Sequence, residues 1–239
     1  MHYWIVMPAA GVGRRFGSAK QYALLGNRTV LQTALQVFLD DPQCRGGSVL
    51  LASTDAQRAQ LAAQLPERIA LVEGGPERAH SVYNGLRSLE TRAGADDWVL
   101  VHDAVRPALS AADLQRLLSH GAAEAVGALL ATPVADTVKR AHDGAASLVR
   151  RCEATVPRES LWLAQTPQMF RYAVLRSALE RALAQGRIPT DEAQAMEWQG
   201  HAALLVQAQD SNLKITTAAD LALLQAILQH RALPDEVMQ

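Results

Sequence analysis

The chain has 239 residues, 49% of them hydrophobic and 20% charged, which suits a globular protein and excludes a disordered one. Lys plus Arg (23) almost balance Asp plus Glu (24), leaving a formal charge of −1. That balance excludes the broad basic surface of a general nucleic-acid binder, but not a small basic pocket for a phosphorylated ligand.

Targeting and redox features point the same way. Cys44 and Cys152 are far apart, with no CxxC pair and no Cys/His cluster of zinc spacing. They read as two unpaired thiols of a reducing compartment. No apolar run reaches the roughly 18 residues that span a bilayer. At the N-terminus the apolar Trp4–Met7 meets Pro8-Ala9-Ala10-Gly11 at once, unlike a signal peptide. A cytoplasmic protein with no membrane partner is the expectation.

Short apolar runs punctuate the chain: Trp4–Met7, Ser48–Ala52, Ile69–Val72, Trp98–Val101, Gly127–Leu130 and Ala203–Val206. They do not alternate with polar residues, so they read as strands buried on both faces of a largely parallel sheet. Amphipathic stretches lie between them. Val30–Leu39 places Val30, Leu31, Ala34, Leu35 and Phe38 on one side, and Arg78–Leu89 does so with Val82, Leu86 and Leu89. Asp113–Leu118 follows a capping-type Ser110, and Tyr172–Leu183 and Thr217–Leu228 complete the helices. Repeated strand–helix units predict an α/β doubly wound fold.

One segment, residues 136–161, breaks the alternation. Thr137-Val138-Lys139 and Leu148-Val149-Arg150 flank the turn signal His142-Asp143-Gly144. This predicts a projecting hairpin arm. A lone hairpin is marginal in water, so a partner subunit is the natural surface for it. With no repeat, low-complexity tract or linker, residues 1–239 read as one domain carrying that arm.

The first strand–helix junction carries the most chemistry: Pro8-Ala9-Ala10-Gly11-Val12-Gly13-Arg14-Arg15-Phe16-Gly17-Ser18-Ala19-Lys20-Gln21. Glycines and small residues let backbone amides approach phosphate oxygens. The spacing Gly11-x-Gly13-x-x-x-Gly17 is neither the tight GxGxxG of a dinucleotide fold nor a P-loop ending in Gly-Lys-Ser/Thr. Arg14, Arg15 and Lys20 place three cations in one loop, which a triphosphate requires and a hydride cofactor does not. A nicotinamide enzyme would also carry an acid about 20 residues further on; Val30, Leu31 and Gln32 stand there instead.

Six further segments follow in order: Gly74-Gly75-Pro76-Glu77-Arg78-Ala79-His80-Ser81-Val82, His102-Asp103-Ala104-Val105-Arg106-Pro107, Asp136–Arg140, Thr166-Pro167-Gln168-Met169-Phe170, Thr190-Asp191-Glu192-Ala193 and Asn212-Leu213-Lys214-Ile215-Thr216. With the glycine loop, they resemble the 2-C-methyl-D-erythritol 4-phosphate cytidylyltransferase family over roughly residues 4 to 225. The resemblance implies a nucleotidyltransferase fold and transfer of a cytidylyl group from CTP to a polyol phosphate, in non-mevalonate isoprenoid synthesis. It implies Arg15 and Lys20 as catalytic cations. Ala9, Ala10, Gly11, Gly75 and Ser81 would bind cytosine. Arg158 and Lys214 would hold the acceptor's phosphate, and Thr137 would touch the neighbouring subunit's acceptor, so a homodimer through the arm is implied. Where the family often has a polar residue this chain has Pro76, whose side chain offers no hydrogen bond.

Asp103 closes the Trp98–Val101 strand at the carboxyl edge, where open α/β sheets bind ligands. It is a candidate for the acceptor's hydroxyls or for Mg²⁺, the expected divalent cofactor. Arg106-Pro107 reads as a loop anchor, Asp191-Glu192 as a helix start, and His102 as a packed or solvent-facing histidine. Two alternatives stay open: a ribitol 5-phosphate cytidylyltransferase, which would share the CTP loop, and a non-catalytic nucleotide-binding module, which would be expected to lose the loop cations.

Overall fold

The computed structural model describes residues 1–11, 19–142 and 149–232. The chain opens with β1 (Tyr3–Pro8). A 3-10 turn over Lys20–Tyr22 and a short ribbon, β2 (Leu24–Leu25) with β3 (Arg28–Thr29), lead into α1 (Val30–Leu39). There follow β4 (Cys44–Leu51), α2 (Arg58–Gln64), β5 (Ile69–Glu73), α3 (Arg78–Ser88) and β6 (Trp98–Val101). After α4 (Ala111–Gly121) and β7 (Gly127–Pro133), the chain forms a separate ribbon, β8 (Val138–Ala141) and β9 (Cys152–Val156). It returns as β10 (Trp162–Arg171), α5 (Tyr172–Ala184), α6 (Glu192–Glu197), β11 (Leu204–Gln207) and α7 (Ala218–Ala232).

Seven strands form one sheet in the order β11-β7-β10-β6-β1-β4-β5. β1 pairs in parallel with β4 and β6, β4 with β5, and β11 with β7. β10 runs antiparallel to both of its neighbours, β6 and β7. The doubly wound, largely parallel sheet expected from the apolar runs is therefore present. Along β1 the side chains divide between faces. Tyr3, Ile5 and Met7 pack with Leu31, Leu35 and Phe38 of α1 and Leu114 of α4, whereas Trp4 and Val6 pack with Val82 and Leu86 of α3 and Leu175 of α5. Burial of both faces is why the run is continuously apolar.

The helix starts follow local chemistry. Thr29 caps α1 in a reciprocal capping box with Gln32. Ser110 caps α4 by accepting from the Asp113 amide.

Strand β10 was not legible as a strand. Its Thr166-Pro167 lies at the register break between Ala164 and Gln168, and a proline cannot donate to a ladder, so it interrupts the pattern a strand would show. The hairpin expectation needs correction in its second half. Val138–Ala141 pairs with Cys152–Val156, with Val138 opposite Val156. Val149 and Arg150 precede that strand, and Val149 is 83% exposed. The β-prone Ala154-Thr155-Val156 won the pairing, so the connection is longer than the turn signal suggested. Asp143, Gly144 and Leu148 lie outside the described residues.

Two features aim the fold at one place. The chain runs outward from β1 to β4 and β5, then returns to β6 on the other side of β1. This reversal opens a crevice at the carboxyl ends of β1 and β6. Buried Asp113 of α4 then accepts from the amides of Gln209 and Asp210 at 3.1 and 3.0 Å and pairs with Arg116. That clamp fixes the segment that continues to Lys214.

Candidate active site

The crevice is lined by Ala9, Ala10 and Gly11 beyond β1, Lys20 and Gln21, Gly75–Arg78, Ser81, Asp103 and Lys214. Eight of the sequence-predicted residues thus share one cleft: Ala9, Ala10, Gly11, Lys20, Gly75, Ser81, Asp103 and Lys214. Thr137 and Arg158 do not. Thr137 is exposed just before β8, and Arg158 is exposed at the base of the ribbon, where it donates to the Ala135 carbonyl. Arg15 lies outside the described residues, as do Val12–Ser18 as a whole.

The small residues of the cleft are small for different reasons. A Cβ on Gly75 would lie 2.3 Å from the His80 Cβ, so packing requires that glycine. A Cβ on Gly11 would meet nothing within 4 Å among the described residues, so packing there does not. The Gly75 amide donates to Ser81 Oγ at 3.0 Å, and that hydroxyl donates to the Glu77 carbonyl at 3.3 Å. Ser81 therefore shapes the glycine turn. Gln21, buried, donates to the Ala9 carbonyl at 3.1 Å and ties the far end of the glycine loop to the end of β1. Pro76 lines the cleft beside Glu77.

Asp103 is the hub. It is buried, and its carboxylate is held from three directions. Arg78 Nε donates to Oδ1 at 2.9 Å, Lys214 Nζ donates to Oδ2 at 2.7 Å, and Arg106 Nε stands 3.7 Å from Oδ2. Arg78 in turn forks across both oxygens of Glu192, at 2.7 and 3.1 Å. Burial alone would raise the Asp103 pKa. The Arg78 guanidinium, then Lys214 and Arg106, outweigh it and hold the carboxyl well below the usual carboxylate range. Burial likewise opposes the charge on Arg78, and Glu192 and Asp103 keep it protonated. Lys20 Nζ donates to the Ile215 carbonyl at 2.6 Å. The glycine-loop lysine and Lys214 thus meet on one short segment.

No side-chain role was read for Arg78, Thr166 or Asn212, and Glu192 was read only as part of a helix start, although each lies in a motif singled out above. Asp191 caps α6 by accepting from the Gln194 amide, as expected of a helix start, but Glu192 beside it is the buried partner of Arg78. Arg106 anchors its loop by donating to the Asn212 carbonyl at 2.7 Å.

Asp103 does not fit as a resident magnesium ligand. Both of its oxygens accept from cationic side chains, whereas Mg²⁺ takes open carboxylate, phosphate and water oxygens in strict octahedral geometry. Among the described residues no group of three or more His, Cys, Asp or Glu is placed to hold a metal.

His102 is fully buried against Phe38, with ring centroids 5.1 Å apart. Burial pushes its pKa down to about 4, against the pull of the Arg106 carbonyl and the Asp103 carboxylate. Its ring is therefore neutral in the folded state at physiological pH. The unfolded chain regains the ordinary value of about 6.5 and binds the proton first as pH falls. Folding stability should fall between about pH 6.5 and pH 4, by roughly 3 kcal/mol from this group. Urea titrations across that range check it: the wild type should lose stability toward acid more steeply than His102→Gln. Equal slopes would remove the assignment.

Comparison with known proteins agrees with this geometry. The model of the 2-C-methyl-D-erythritol 4-phosphate cytidylyltransferase family matches residues 3–230. A protein of that name from Pseudomonas aeruginosa PAO1 is 49% identical over 232 residues, covering 95% of this chain and 97% of its own length. One from Halorhodospira halophila is 49% identical over 234 residues, covering 95% and 93%. Among solved structures, a 4-diphosphocytidyl-2C-methyl-D-erythritol synthase superposes with a TM-score of 0.80 at 36% identity, over 95% of this chain and 98% of its own. The Thermus thermophilus cytidylyltransferase does so with 0.76 at 31% identity, over 96% and 100%. No helix among the described residues is long and apolar enough to cross a membrane. With a family model spanning most of its length and relatives near half identity, the chain belongs to the 2-C-methyl-D-erythritol 4-phosphate cytidylyltransferase family.

Proposed function

We propose that the protein transfers the cytidylyl group of CTP to 2-C-methyl-D-erythritol 4-phosphate, releasing pyrophosphate, as a cytoplasmic homodimer. The observation that carries this is the convergence of Lys20 and Lys214 on one segment lining the cleft. One lysine belongs to the nucleotide side and the other to the acceptor side, and the reaction joins two anions.

A phosphate monoester has its second pKa near 6, so the acceptor arrives largely dianionic. One of its oxygens bonds to the α-phosphorus, the bond from that phosphorus to the bridging oxygen breaks, and pyrophosphate leaves with the electron pair. No general base is needed. The obstacle is charge, and fixed cations lower it most where water is excluded. Lys20 faces the nucleotide phosphates, and Arg15 joins it by resemblance to the family. Lys214, oriented by Asp103, faces the acceptor phosphate. Magnesium would belong to the Mg·CTP substrate and offset phosphate charge, since both Asp103 oxygens already accept from cationic side chains. Ala9, Ala10 and Gly11 border the base, and no described residue lies where a Gly11 Cβ would stand, which suits close approach of a ligand.

The ribbon β8–β9 is mostly exposed, which supports docking on a second copy. Pairing of copies would bring Thr137 and Arg158 to the partner's cleft, where this chain alone does not put them.

Pyrophosphate release with CTP and Mg²⁺ tests the reading, with methylerythritol phosphate, ribitol 5-phosphate and no acceptor in parallel. Release with methylerythritol phosphate alone is expected. Release only with ribitol phosphate would replace the substrate, and silence with both in a folded, CTP-binding protein would replace the enzyme with a binding module. Lys20→Ala should lower kcat at least ~10²-fold in a protein with an unchanged melting profile. Separately, a chain lacking residues 141–147 should sediment as a weaker dimer. A dimer of full strength would release the arm from that role.

A further inference from the structure

We infer that His102 and Thr166 are positioning residues, a latch of ordered protons that sets Asp103 and Arg106 for the acceptor phosphate. The inference rests on the proposed reaction. Both side chains are buried, and both act through the turn from Asp103 to Arg106.

The proton order follows from which groups can donate. The Asp103 amide donates to Thr166 Oγ1 at 3.0 Å. That hydroxyl has one proton, and it lies 3.1 Å from His102 Nδ1. The other ring nitrogen, Nε2, lies 3.0 Å from the Arg106 carbonyl, which can only accept. In a neutral ring, Nε2 must therefore carry the proton and donate to Arg106. Nδ1 is then bare and accepts from Thr166. Only this arrangement satisfies all three contacts at once. The opposite tautomer would set a lone pair of Nε2 against the Arg106 carbonyl inside the core, where an unmade hydrogen bond is costly.

The latch grips both ends of one turn. Asp103 is held at its amide through Thr166, and Arg106 at its carbonyl by the imidazole, while the Arg106 amide closes the turn on the Asp103 carbonyl at 3.0 Å. Thr166 also reaches the opposite wall. Its carbonyl accepts from Asn212 Nδ2 at 2.7 Å, two residues before Lys214. One buried threonine thus sets the spacing between Asp103 and Lys214, the carboxylate and the ammonium that meet at 2.7 Å. The charged groups facing the imidazole are Asp103 and Arg106, and the rest of its surroundings includes Phe38.

The test uses Thr166→Val, which keeps the shape and removes the hydroxyl, with Thr166→Ser as the conservative rescue. Long-range nitrogen-15 spectra of the imidazoles, with His102→Gln to assign the signal, read the tautomer directly and need no substrate. The wild type and Thr166→Ser should show His102 protonated on Nε2 alone, and Thr166→Val should lose that pure signature. In steady-state assays Thr166→Val should raise KM for methylerythritol phosphate about 10-fold or more, with KM for CTP within about threefold, and Thr166→Ser should restore the value. A wild-type ring protonated on Nδ1 would overturn the latch. So would a Thr166→Val enzyme with both KM values unchanged, or with both raised equally. If the wild type transfers to no polyol phosphate, the proposed reaction fails while the spectra still decide the proton order.

Discussion

A single buried carboxylate organises this site. Asp103 sits at the end of β6 with almost no contact with water, yet it stays ionised. An ion in that position is tolerable only if paired and fully hydrogen-bonded. Three cations satisfy it, and they come from α3, from its own turn and from the segment before α7. The need to neutralise Asp103 therefore brings distant parts of the chain together. Arg78 is shared between Asp103 and Glu192, while Lys214 and Arg106 stand against Asp103 alone. The buried aspartate and glutamate thus serve to hold basic side chains in place. Their charge does not make the cleft acidic.

The fold supplies the place and the orientation. Reversal of strand order beside β1 opens the crevice, and the carboxyl ends of β1 and β6 deliver Ala9–Gly11 and Asp103 to its lining. The antiparallel β10 inserts Thr166 next to β6, so an exception to the parallel pattern delivers the residue that ties Asp103 to His102 and to Asn212. Asp113 clamps the backbone leading to Lys214. These positions are fixed in the absence of any ligand, the condition under which electrostatic stabilisation is most effective.

Much of this was legible in the residues, and the exceptions have physical reasons. The apolar runs gave the sheet because both of its faces are covered, and Val30–Leu39 showed its helix and its buried side through spacing alone. The cleft gathered eight expected residues because the motifs lie at strand ends. The strand holding Thr166-Pro167 was hidden by a proline at a register break. The arm's second strand was placed too early, since a turn signal marks a reversal but not the length of the connection. The pairing of Arg78 with Glu192 was missed because it is a contact across 114 residues of sequence, which no local pattern records. His102 was expected only to pack or to face solvent. Its role depends on which nitrogen carries the proton, and that is decided by partners from β10 and the Asp103 turn.

The central claim is that the Asp103 carboxylate holds the acceptor-side cations in working position. Steady-state kinetics of Asp103→Asn, with CTP and methylerythritol phosphate varied in turn and folding checked by melting, tests it most directly. The side chain keeps its shape and loses its charge. The account predicts at least a ~10-fold loss in kcat/KM for methylerythritol phosphate with KM for CTP changed by less than about threefold, the scale expected when one partner of a buried charged network is removed. An unchanged acceptor constant, or a loss confined to CTP, would contradict it.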